Sequence, residues 1–139
     1  MAKTIATLVG AVLLLVGIVG FIVGKPADPM TPNFIGTHLT FSHNIVHILT
    51  GAISLYFGLA ASLSAARTFD IIFGVVYGLL GVVGFLLGTG SDRMFEALSS
   101  LGLHLGTMDH VVHILLGVLY LIGGLMTKAV VNNNGRDRA

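Results

Sequence analysis

The chain has 139 residues, 55% of them hydrophobic and 9% charged, with a formal net charge of +1 and a mean hydropathy of +0.96. Soluble domains carry about 25% charged residues, so this composition excludes a water-facing globular protein, and the small net charge excludes nucleic-acid binding by electrostatics. The absence of cysteine removes disulfides, thiolate catalysis, c-type haem attachment and iron–sulfur clusters.

The first apolar segment runs from Thr4 to about Gly24, behind Lys3. It has the look of a secretory signal, but no small-x-small cleavage site precedes Lys25-Pro26 and the run is long, so it is expected to be retained as a span. Lys25-Pro26-Ala27-Asp28-Pro29 stops it. The second segment covers about His43 to Leu63, the third Asp70 to Gly88, and the fourth Asp109 to about Thr127. Each is near the roughly 20 residues that a spanning helix needs. With no alternating β pattern, the fold class expected is an all-α membrane protein with four transmembrane helices. Between the third and fourth segments, Met94, Phe95, Leu98, Leu101 and Leu105 recur at helical spacing, which predicts a short helix lying at the interface. The polar stretch 132–138 predicts a disordered tail.

The chain reads as written twice. An offset of 64 residues lays Gly10, Gly17, Gly20 and Gly24 on Gly74, Gly81, Gly84 and Gly88. An offset of 66 lays His47-Ile48-Leu49 on His113-Ile114-Leu115, Gly51 on Gly117, and Gly36, His38 and Leu39 on Gly102, His104 and Leu105. A single domain over 1–139 is therefore expected to hold two tandem hairpins, about 4–63 and 70–127, and a tail, 128–139. An even number of spans per unit puts both units in the membrane the same way round, related by a pseudo-two-fold along the membrane normal. The glycines are expected to serve close helix packing. Lys3, Arg67, Lys128, Arg136 and Arg138 fall on one side and Lys25 and Arg93 on the other. That bias predicts cytoplasmic termini, a cytoplasmic turn over 62–69, and connections 25–42 and 89–108 facing outward across a bacterial inner membrane.

All six histidines lie in the two outward connections and the first turns after them: His38, His43 and His47, then His104, His110 and His113. Polar side chains at membrane depth face protein or water, so these predict one layer near the extracytoplasmic surface. His43, His47, Thr50, Gly51, Ser54 and Gly58 share one stripe of the second segment. His110, His113, Gly117, Tyr120 and Gly124 share the matching stripe of the fourth, and the small residues predict that these two helices approach closely. Three readings of the layer stand side by side. The rings are neutral and simply hydrogen-bonded. Alternatively they hold a cofactor: a haem or pigment on His47 and His113, or a transition metal on His43, His47, His110 and His113 with Asp109. In the third reading they sense or carry protons.

The start of the second segment, His43-Asn44-Ile45-Val46-His47 with Gly51, resembles a bacterial family of small four-helix membrane proteins catalogued as a domain of unknown function. So do Gly81-Val82-Val83-Gly84-Phe85 and Asp109-His110-Val111-Val112-His113. The resemblance spans about residues 4–127; it implies four membrane helices and brings no activity with it. There is no Walker loop, G-x-S-x-G or H-E-x-x-H. The function expected is therefore a non-enzymatic accessory or structural subunit, in contact with lipid and within a larger complex or homo-oligomer.

Overall fold

The computed structural model describes residues 1–23 and 30–129. Within them lie four long helices, α1 (Ala2–Val23), α2 (Phe41–Leu59), α3 (Leu63–Leu87) and α4 (Thr107–Met126), with a 3₁₀ helix over Glu96–Leu101 before α4. Gly24, the stop at 25–29 and the tail from 130 onward lie outside the described residues. Of the described helices, α1, α3 and α4 are long and apolar enough to cross a membrane, which makes the chain an integral membrane protein. Helix α2 is 19 residues long, and its first two turns carry His43, Asn44 and His47.

Caps set the helix starts. Thr40 accepts from His43 N at 3.2 Å to begin α2, and Ser62 accepts from Ala65 N at 3.1 Å to begin α3. The Asp109 carboxylate reaches back to Gly106 N at 2.9 Å to begin α4. The Ser62 cap draws α3 back to Leu63, so the turn expected over 62–69 shrinks to residues 60–62. Arg67, placed in that turn by its charge, instead lies in the second turn of α3 and donates from Nε to Thr127 O at 2.9 Å.

The packing is inverted relative to a soluble bundle. Leu8, Leu15, Leu49, Leu79, Leu86 and Leu125 point outward, while the interior holds Ala2, Ala6, Ser54, Asp70, Asp109, Tyr120 and His38. Such a surface is stable against lipid, which is as apolar as leucine, so helices gain by close backbone approach rather than by hiding side chains. Glycine provides that approach in both hairpins. A β-carbon on Gly10 would lie 2.8 Å from Leu55 N, and one on Gly74 2.8 Å from Leu121 N. The same holds of Gly17 against Ile48 (2.7 Å) and Gly81 against Ile114 (2.6 Å). Gly51 meets Leu14 N and Gly10 O, as Gly117 meets Gly78 N and Gly74 O. Every pair is related by the 64- and 66-residue offsets. The α1–α2 and α3–α4 interfaces thus share one contact register.

Three of the expected packing positions have neighbours other than those expected. Gly88 ends α3, and a β-carbon there would strike the Arg93 carbonyl of the following turn rather than another helix. Gly51 and Gly117 lie within their own hairpins, so the close α2–α4 approach expected from the shared stripe does not form; these backbones stay apart. The gap between them is bridged by side chains. Tyr120 OH donates to Ser54 Oγ at 2.8 Å, and Ser54 passes its own proton to Ala6 O at 2.7 Å, tying α4 to α2 and α1.

Hydrogen bonds at the ends fix the relative directions. Ala2 N donates to Thr127 Oγ1 at 2.8 Å, which gathers the starts of α1 and α3 and the end of α4 at one end of the bundle. At the other end, Thr40 Oγ1 donates to Gly102 O at 2.6 Å and joins the two long connections.

Candidate metal site

At that second end, α2 projects His43 and His47 and α4 projects His113 into one point between the hairpins. One ring nitrogen from each lies within 4.8 Å of the others, and all three side chains are buried. The ring centroids of His43 and His47 are 4.2 Å apart, one helical turn along a single face. His113 arrives from the opposite hairpin, 6.0 Å from His43.

His43 is oriented from outside the cluster. Its Nδ1 donates to His38 O at 2.8 Å, which leaves Nε2 as the nitrogen carrying a free lone pair. His38 is itself held by Asp109. The carboxylate accepts from the His38 ring at 2.7 Å and from its backbone N–H at 3.1 Å, and caps α4 through Gly106 N. A carboxylate–backbone–imidazole chain of this kind is what fixes ring orientation and tautomer around metal-binding histidines. Nδ1 of His47 and Nδ1 of His113 are buried and have no hydrogen-bond partner among the described residues. Buried polar atoms are nearly always paired, so two orphan nitrogens on rings that meet at one point mark this cluster as the candidate site.

Small cavities lie against the triad. One, of about 170 Å³, is lined by Val16, Phe34, Leu39, Met108 and Val112 with the three histidines. Ile35 and Gly36, both in the left-handed region at φ +47° and +78°, turn the chain back over it, with Thr37 N donating to Phe34 O at 2.8 Å. The other, of about 50 Å³, reaches Tyr77, Leu98 and Leu105.

The remaining candidate residues take other places. His110 turns toward α3; it packs on Gly84 and its Nε2 donates to Arg93 O at 2.8 Å. Asp109 supports the triad through His38: its oxygens accept from His38 N, His38 Nδ1 and Gly106 N, and it lines the cavity beside the rings. Asn44, at the position equivalent to His110, packs on Gly20 as His110 does on Gly84. Sequence reasoning passed over His38 as an orienting residue, and Tyr77, whose ring lies 5.7 Å from that of His113. The signal for His38 was its repeat relation to His104; nothing in the α3 pattern marked Tyr77.

A family model described as a domain of unknown function, DUF4383, matches residues 3–126, and the chain belongs to this family. No curated protein and no solved structure matches it.

Proposed function

We propose that this chain is a non-enzymatic, membrane-embedded bundle that holds one transition-metal ion between its two hairpins on His43, His47 and His113. The observation that carries the reading is the convergence of three buried rings, one nitrogen of each within 4.8 Å of the others, with Nδ1 of His47 and of His113 left without a partner among the described residues. Neutral imidazoles suit zinc, copper, iron and nickel ions. A single ion is favoured over a haem or pigment because the adjoining cavity of about 170 Å³ falls below the roughly 300–1,000 Å³ of sites for drug-sized ligands. The shared contact register supports a tandem duplication, with four spans and a pseudo-two-fold along the membrane normal. In that arrangement the basic bias places both termini in the cytoplasm and the triad near the outer surface. The apolar outer faces suit lipid or a neighbouring subunit, consistent with an accessory role.

Elemental analysis and metal titration of the full chain in mild detergent test the site. One ion per chain is expected, lost in His47→Ala and His113→Ala and kept in His104→Ala; no stoichiometric metal on loading would overturn it. For topology, Ser64→Cys and Ile35→Cys, in a chain without native cysteine, should label from the cytoplasm and from outside respectively. Labelling with the sides exchanged would invert the assignment.

A further inference from the structure

The donor set narrows the choice of ion. The triad itself contains no carboxylate: Asp109 is the nearest acidic group on α4, and its oxygens already accept from His38 N, His38 Nδ1 and Gly106 N. Three neutral rings would therefore meet the ion in mostly apolar surroundings, Val16, Phe34, Leu39 and Val112, with Thr37 and the already hydrogen-bonded Asp109 also on the wall. Desolvation in such a medium rises with the square of the charge, so a dication pays roughly four times the Born cost of a monocation. Hard ions that demand several oxygens are poorly served here.

The cavity wall adds one more donor. Met108, in the first turn of α4 and immediately before Asp109, lines the same cavity as the three rings. Its side chain crosses the turn at Gly36, with Cβ and Cγ 3.3 and 3.6 Å from where a β-carbon on Gly36 would lie. It is 39% exposed, and an unbranched thioether side chain adapts readily to irregular space. Thioether with imidazole is a soft donor set that selects monovalent copper among the first-row ions.

We propose that the ion held by the triad is Cu(I) and that Met108 supplies its thioether as the fourth ligand, at the outer mouth of the site. This inference rests on the triad reading above. Helix α4 then has a double part: His113 approaches from the bundle interior and Met108 from the connection side, so the first two turns of the helix carry both an inner and an outer donor.

The test uses the full chain in detergent, titrated anaerobically with Cu(I) against a competing chromophoric chelator, and separately with Zn²⁺. Met108→Leu nearly conserves volume at a part-exposed position, so folding is retained. It is expected to weaken Cu(I) binding by about tenfold or more, the scale that even supporting groups reach at metal sites, and to leave Zn²⁺ binding unchanged. X-ray absorption of the copper-loaded protein should show one sulfur neighbour that disappears in Met108→Leu. Equal Cu(I) affinity in both proteins, with no sulfur scattering, overturns the role of Met108. Tighter binding of Zn²⁺ than of Cu(I) overturns the monovalent assignment; in both cases the triad stands. Binding of neither ion overturns this inference, and an absence of stoichiometric iron and nickel as well removes the triad reading with it.

Discussion

Where α2 carries His43 and Asn44, α4 carries Asp109 and His110, although both helices pack on their partners in the same register. Gly10 and Gly74, Gly17 and Gly81, Gly51 and Gly117 meet backbone nitrogens at offset-related positions at distances that agree to about a tenth of an ångström. The polar residues above them do not match. His43 turns its ring into the centre and takes its orientation from His38 O, whereas Asp109 stays at the helix start and gathers the donors of His38 and Gly106. His47 and His113 alone are both related by the 66-residue offset and central. The difference teaches that backbone spacing and chemistry are carried by separate positions: glycine sets the frame twice, and substitution at two frame-equivalent sites makes the centre asymmetric.

The largest expected effect breaks the common frame. Gly10→Leu and Gly117→Leu should each cost about 3 kcal/mol, the upper end of overpacking, because the atoms a β-carbon would meet are backbone at 2.6–2.9 Å. Equilibrium unfolding in mixed micelles checks it. Similar losses in both hairpins are expected; a neutral result in one would show that its helices are not held by glycine contact.

Next comes the asymmetric pair. Asp109→Ala should cost about 2–3 kcal/mol, since His38 and Gly106 lose buried charge-assisted partners. His43→Ala should cost about 1 kcal/mol, because only the His38 carbonyl loses its donor. Equal costs would mean that the two equivalent positions play equal parts. A smaller effect is expected at the bridge between hairpins. Tyr120→Phe, which leaves Ser54 its bond to Ala6 O, should cost about 1 kcal/mol. Unfolding of the single and double variants with Ser54→Ala should reveal coupling between the two sites.

The smallest effect sharpens the comparison from the other direction. Gly78 occupies the position equivalent to Leu14, and a β-carbon there meets nothing within 4 Å. Gly78→Leu should therefore change stability by no more than about 0.5 kcal/mol, as at an open surface site, although its neighbour across the interface, Gly117, tolerates no side chain. A large loss in Gly78→Leu would mean that the outer face of α3 is covered.

Much of this molecule was legible before folding was considered. Long apolar runs, glycines at fixed offsets and histidines confined to two places determined a membrane helical protein with a polar layer at one end, because lipid permits no unpaired backbone and few stray polar groups. Helix ends were legible only to within a turn or two: the Ser62 cap overrode the charge of Arg67, and Phe41 starts α2 ahead of His43. The partners of each side chain were decided by the tertiary structure alone. Gly51 and Gly117 share a stripe with the histidines, yet they pack backward onto α1 and α3. His110 lies on the same helix as His113, three residues away, yet the Arg93 carbonyl and the notch at Gly84 claim it. A helical stripe is wider than one contact, so periodicity names the residues on a face without dividing them among the neighbours that face meets. That division, which leaves His43, His47 and His113 facing one another, follows from where the backbones of α1 and α3 allow α2 and α4 to sit.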